Sequence, residues 1–374
     1  MQLMELSCPV RHYAWGERGS ADHNPLISEL LGRSPGEEPW AELWIGAHPS
    51  DSAILKQSSL PLTRLIQDSP LDMLGIKQDG ISSLPFLLKV LCCSEPLSIQ
   101  SHPDKATATR LHAELPKEFP DANHKPEVLY ALTDFRLMAG FRRMEEVLSD
   151  LQASPALHPW RQAIPAPPTL DTLTRFPLEA DASLRSAMAE GYCLEPHDGI
   201  QAEQFRILQR KYPGDCGVFF ALLLNVFILH PGEAVFVQAN IPHAYLNGRG
   251  IECMANSDNV IRAGLTPKYV NRALLMETLD FTPRSPNSLR AQTPPGDFDF
   301  ACGEDFRLRI IQCSPYQRTQ RVPGVFIVLE GSAMVTADEK AISAPKGSIW
   351  FAPASISNLR ITPERNSKIA WAET

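Results

Sequence analysis

The sequence has no C-x-x-C pair, no apolar run long enough to cross a membrane, no excess of positive charge and no histidine after His243. Each absence excludes something. Its eight cysteines, at 8, 92, 93, 193, 216, 253, 302 and 313, are scattered over 374 residues, so neither a thiolate metal knuckle nor a disulfide framework is encoded. Isolated thiols fit a reducing, cytoplasmic setting. The longest apolar stretch, 217–229, is broken by Asn225 and falls short of the roughly 20 residues a membrane span requires. It reads as buried core, and no membrane association is expected. Met1–Trp15 mixes charged and apolar residues and lacks the hydrophobic centre of a secretory signal. A net charge of −8 gives no general attraction to nucleic acid, so an anionic ligand must be held by locally placed cations. No phosphate-cradling G-x-x-x-x-G-K-[ST] loop is present, and Gly248-Arg249-Gly250 is only a fragment of a dinucleotide pattern.

What is abundant points to β structure. Thirty-three prolines, with 44% apolar and 21% charged residues, describe a globular chain of short strands and loops, long enough for two or three domains. Three units are expected: residues 1–142 together with 214–296, a helical insertion over 143–213, and residues 297–374. The insertion rests on helical periodicity in Met144–Leu151, Ala180–Glu190 and Gln201–Tyr212, separated by Pro165-Ala166-Pro167-Pro168. Glu203, Arg206, Gln209 and Arg210 read as its solvated face. The last unit is strand-like in Phe306–Ile311, Gly324–Leu329 and Gly347–Ala354 and echoes Gly232–Ala239, but it has no histidine with which to repeat an imidazole site.

The chemistry gathers in four short segments. In Ser98-Ile99-Gln100-Ser101-His102-Pro103-Asp104-Lys105, an apolar strand ends in two potential ligands two residues apart, Gln100 and His102, which share a face. Glu127 follows in Asn123-His124-Lys125-Pro126-Glu127. A Pro-Gly turn at 231–232 feeds a short strand, and a Pro-bounded turn then presents His243, in the manner of the second half of a cupin motif. Gln100, His102, Glu127 and His243 form an N/N/O/O set suited to zinc or a similar divalent ion. Each alone reads as an ordinary hydrogen-bonded residue; the set carries the inference. His12, His23, His48, His112, His158, His197 and His230 lack such a pattern and read as structural. Lys89, Lys105, Lys125, Arg262 and Lys268 cluster in the same segments and suit a phosphate. Glu252 and Asp258 place carboxylates beside Arg262, able to move a proton and stabilise an oxyanion.

These segments, with Tyr13-Ala14-Trp15-Gly16, Ala41–Pro49 and Met254–Arg262, resemble the type I phosphomannose isomerases over about Tyr13–Lys268; the remainder matches in type only. The resemblance implies a mainly β fold of two cupin-type (jelly-roll) domains with a small α-helical domain. It also implies one Zn2+ per chain on Gln100, His102, Glu127 and His243, and interconversion of mannose 6-phosphate and fructose 6-phosphate through a cis-enediol. Arg262 would then stabilise developing charge. The proton-transferring group would be Glu252, or failing that Lys125, with His124 and Asp258 as further candidates. Ser98, Lys89 and Lys268 would bind the phosphate. The expected partner is a small sugar phosphate, with no nucleic acid and no membrane, and a monomer is compatible with the sequence. Ala263 and Ile241 depart from the usual pattern and bear on sugar fit rather than on chemistry. Two other readings use the same residues: an iron oxygenase holding its metal through His102, Glu127 and His243, and a non-catalytic sugar-phosphate-binding protein.

Overall fold

The computed structural model describes residues 2–75, 83–292 and 297–374. The domain boundary expected at 296 falls outside the described residues. Strands predominate, and two large antiparallel sheets share one core. The first has ten strands, its main path running Leu224–Leu229, Phe135–Phe141, His243–Ala255, Phe86–Cys93, Glu42–Ile45 and Val10–Arg11. Its central strand, Phe86–Cys93, is buried at every residue, which explains why it reads as an almost unbroken apolar run with Lys89 as the exception. Leu43, Ile45, Leu88, Val90, Ile251 and Val128 point from one face of this sheet into a core completed by Leu308, Val325, Ile327 and Ala370 of the second sheet. The alternate residues line the other, concave face.

His243–Ala255, 13 residues long, organises the site because it changes partners midway. Its first half pairs with Phe135–Phe141 and, at His243, with Gln100 of Ile99–Ser101; its second half lies between Phe86–Cys93 and Glu127–Ala131. Gly248 stands at the changeover with φ +136°, and a Cβ there would fall 2.7 Å from the Phe135 ring. A side chain is therefore excluded where the strand bends. Among the described residues the ladders do not close into a ring.

The second sheet, of seven strands, takes Phe298–Cys302, Phe306–Ile311, Lys368–Glu373, Gly324–Glu330 and Ile349–Ala352, and adds Met4–Ser7 and Ile54–Leu55 from the other end of the chain. Strand alternation divides Gly324–Glu330 between two cores. Val325, Ile327 and Leu329 enter the shared core, while Phe326 and Val328 pack against Val335, Leu359 and Ile361 of a four-stranded sheet.

The helical stretch leaves and re-enters the fold on neighbouring strands, since Phe135–Phe141 pairs with Leu224–Leu229. Between them lie helices Met144–Ala153, His158–Ala163, Leu170–Glu179, Ala182–Leu194 and Ile200–Lys211, built around Trp160, Leu173, Phe205 and Phe219. Leu170–Glu179 is absent from the periodicity reading because Pro177 interrupts it. It holds through a Thr169–Thr172 capping box and a buried face of Leu170, Leu173 and Leu178. Asp104 caps Lys105–Glu114, accepting from the Thr107 amide at 2.8 Å, and so fixes the chain just beyond His102.

Candidate metal centre and active site

Period-two alternation builds the site. On the concave face of the ten-stranded sheet, Glu42 and Trp44, then Leu87, Lys89 and Leu91, then Glu252 and Met254, and finally Glu127 stand side by side and line a cavity of about 550 Å3. The rim adds Tyr13, Trp15, Ser98, Lys125, Asp258 and Lys268 from loops, His48 from the short strand Ala47–His48 and Arg262 from the strand Ile261–Gly264. Tyr212, from the end of the last insertion helix, closes one wall, its hydroxyl donating to the Pro96 carbonyl at 3.0 Å.

At the floor, His102 Nε2 lies 3.4 Å from Glu127 Oε1, and His243 Nε2 lies 3.4 Å from Glu127 Oε2. Both imidazoles are wholly buried. The three residues can offer ligand atoms within 4.8 Å of one another, and Gln100, paired with His243 across the ladder, brings its amide to 3.5 Å from His243 Nε2. Because amide oxygen and nitrogen are nearly equivalent in shape, Gln100 can present its oxygen to the same point.

Two observations test whether these residues fit a divalent ion. His102 Nε2 and Glu127 Oε2 are buried without a hydrogen-bond partner among the described residues, which is costly unless something else satisfies them. The second observation concerns the tautomers. His102 directs Nδ1 to the Asn259 carbonyl at 2.8 Å and His243 directs Nδ1 to the Ile241 carbonyl at 3.0 Å, so each Nδ1 carries the proton and each Nε2 keeps a lone pair for a metal. Burial, assisted by the nearby Lys125 charge, pushes His102 down to about 4 and keeps it neutral. Burial works against ionised Glu127, but Lys125 and the two imidazoles outweigh it and hold the carboxyl well below its usual range. The donor set fits zinc.

The supporting shell is anchored by Asp121. Its carboxylate accepts from Ser257 Oγ at 2.8 Å, from the Asp258 amide at 2.9 Å and from Asn259 Nδ2 at 3.1 Å. This fixes the loop whose carbonyl orients His102. Nothing in the sequence marked Asp121, because its partners are more than a hundred residues away.

The remaining expected residues divide by their neighbours. Glu252 is buried on the floor, its carboxyl raised by burial against the pull of Lys89. Lys89, expected at the phosphate, has its ammonium 2.9 Å from Glu252 and 3.8 Å from Glu42. Burial opposes its charge, but these carboxylates prevail and raise its pKa above the usual value. Lys125 Nζ is 2.8 Å from Glu127 Oε1. Arg262 sits opposite Gln100 in the ladder, half-buried, and has no hydrogen-bond or ion-pair partner among the described residues. Burial alone lowers its pKa, which marks it as a cation waiting for an anion. Ser98, Asp258 and Lys268 line the cavity. His124 does not: its Nε2 is 2.8 Å from Asp305 Oδ1, beside the second sheet.

A buried His, His, Glu set beneath a charged cavity on a double-sheet scaffold defines a metal-dependent enzyme of the cupin type. Residues 3–144 match the family described as phosphomannose isomerase type I, catalytic domain. Mannose-6-phosphate isomerase from Homo sapiens is 38% identical over 320 residues, covering 76% of this chain and 74% of that protein. The enzyme of that name from Escherichia coli (strain K12) is 33% identical over 386 residues, covering 96% and 97%. A crystal structure of a mannose 6-phosphate isomerase bound with zinc and yttrium superposes with a TM-score of 0.88 at 32% identity, covering 100% of this chain and 99% of that one. The apo form from Salmonella typhimurium gives the same TM-score, identity and coverage. The chain belongs to the type I phosphomannose isomerase family.

Proposed function

We propose that the chain is a zinc-dependent aldose–ketose isomerase that interconverts mannose 6-phosphate and fructose 6-phosphate, with Gln100, His102, Glu127 and His243 holding the ion. The observation that carries this reading is the pairing of a buried carboxylate of raised pKa, Glu252, with a guanidinium, Arg262, that has no partner among the described residues, in one cavity with those ligands. Aldose–ketose conversion requires a base that takes a proton from one carbon and returns it to the next, together with a fixed cation for the oxygen that gains charge meanwhile. Bound zinc supplies Lewis-acid polarisation and orientation of sugar oxygens.

Glu252 removes the C2 proton of the open-chain aldose. The C2–H electron pair forms the C1–C2 double bond of the cis-enediol, and the charge arising on O1 is met by Arg262. Glu252 then delivers its proton to C1 while the O2 hydroxyl proton passes to O1, so that O2 becomes the ketose carbonyl and O1 the C1 hydroxyl. Lys89 holds Glu252 in place and keeps part of its charge compensated. Lys125, on the same floor, is placed to donate to a sugar oxygen. Ser98 and Lys268, at the rim, bind the phosphate, with the wall completed by Tyr212.

We read the chain as three units: residues 1–142 with 214–296, to which the site is assigned, the helical stretch 143–213, which contributes Tyr212 to the cavity wall, and residues 297–374. The eight cysteines are all free, which supports a cytoplasmic setting. The test is direct: zinc-loaded, folded protein converts mannose 6-phosphate to fructose 6-phosphate in a coupled assay. An inert protein with full zinc content contradicts the proposal.

A further inference from the structure

Three histidines lie at the cavity or at the candidate metal centre beneath it, and their hydrogen bonds sort them into two kinds. His102 and His243 present bare Nε2 atoms, as described. His48 is the reverse. The Ser50 backbone N–H donates to its Nδ1 at 3.2 Å, with the Ser50 hydroxyl 2.8 Å from the same atom. A main-chain amide can only donate, so Nδ1 accepts and the proton of the neutral ring sits on Nε2. That N–H faces the cavity, 3.5 Å from Asp258 Oδ1.

The ring is held where it is. It is 2% exposed and lies edge-on to Trp44 at 4.8 Å. Burial lowers its pKa, with Lys89 and Arg11 acting in the same sense and Asp258 and Asp121 in the other. Asp258 itself is about half exposed, and beyond the amide that its own backbone donates to Asp121, His48 is the one polar group that meets its carboxylate among the described residues.

We infer that His48 is a positioning residue whose Nε2–H aims the Asp258 carboxylate over the sugar, so that Asp258 accepts hydrogen bonds from substrate hydroxyls in a fixed direction. The inference rests on the isomerase reading and adds to it a residue of the Ala41–Pro49 segment. The 3.5 Å separation closes by a small turn of the carboxylate, as contacts of this kind do when substrate arrives.

Two measurements test it. The first is 15N-histidine NMR on the zinc-loaded wild type, which needs no variant and no turnover. The expected spectrum shows His48 protonated on Nε2 while His102 and His243 are protonated on Nδ1; a His48 proton on Nδ1 overturns the inference. The second is a kinetic cycle. His48→Ala should raise KM by about 10-fold or more, the worth of a hydrogen bond to a charged group, with a smaller fall in kcat. His48→Gln, which restores an N–H donor, should recover part of that loss. In an Asp258→Asn background, His48→Ala should add little further effect. Additive effects, or equal losses from Gln and Ala, overturn the positioning role. If the wild type does not isomerise the sugar phosphate, the isomerase reading fails independently, and the NMR result still decides the tautomer.

Discussion

The ammonium of Lys89 and the carboxylate of Glu252 face each other at 2.9 Å across directly paired positions of two neighbouring strands. On the far side of Lys89 stand Glu42, at 3.8 Å, and the ring of Trp44, 5.4 Å away, whose Nε1 donates to Glu42 at 2.6 Å. One buried lysine is thus shared by two carboxylates, both of which line the cavity. Burial raises the Glu252 carboxyl, and the shared Lys89 offsets that only in part.

For Glu252, replacement by Gln is expected to lower kcat by about 10²- to 10⁴-fold, to abolish solvent proton exchange at C2 and to leave sugar-phosphate binding largely intact. Persistent exchange would move the role to Lys125 or another group. The pH dependence follows from the sign of the shift. The base must be ionised, and its pKa lies above the ordinary 4.5, so kcat/KM should rise with pH through a midpoint above that value. Lys89→Met removes the opposing charge and should push the midpoint higher still. A lower midpoint in that variant would mean that Lys89 does not act on Glu252.

For the metal shell, His243→Ala is expected to lose zinc from the purified protein, read by elemental analysis; full occupancy would remove His243 from the ligands. Asp121 gives a less obvious expectation. Although its carboxylate is no ligand, Asp121→Ala frees the 257–259 loop that orients His102. Zinc affinity in a chelator competition should fall by about 10-fold or more, as for other supporting partners.

For the anion, Arg262, half-buried and without a partner among the described residues, should be intolerant of loss. Arg262→Ala is expected to reduce kcat/KM by about 10²-fold or more, whereas the ion pairs of exposed arginines such as Arg175 with Asp171 can be removed at a cost below about 1 kcal/mol. Near-normal kinetics in Arg262→Ala would leave the oxyanion without its proposed partner.

The residues gathered at the candidate metal centre were legible because each falls at a strand end or turn with a local signature: Gln100 and His102 two apart before Pro103, Glu127 after Pro126, and His243 after Pro242. The mainly β character and most helices were legible for similar local reasons. What was not legible depends on pairing between distant strands. Met4–Ser7 leaves the N-terminal part to pair with Ile349–Ala352, Met4 opposite Phe351, and no local pattern announces that. Lys89 read as a free cation because its partners arrive from residues 42 and 252. The hydrogen bonds that Ser50 makes to His48 Nδ1 were likewise invisible in the sequence pattern.

His124 gives the corresponding expectation for a residue the fold turns elsewhere. Its contact with Asp305 ties the segment before Lys125 to the second sheet. His124→Gln should retain C2 proton exchange and lose less than about 1 kcal/mol of stability, as for other partly exposed pairs. Loss of exchange with normal zinc content would return His124 to the proton path.

The central claim is that isomerisation depends on one ion held by Gln100, His102, Glu127 and His243. The direct measurement is the mannose 6-phosphate isomerisation rate as the chelator-stripped protein is titrated with zinc. Activity is expected to be lost on stripping and to return in proportion to zinc, with a break at one ion per chain. Full activity in stripped, folded protein, or a break at another stoichiometry, would contradict the account.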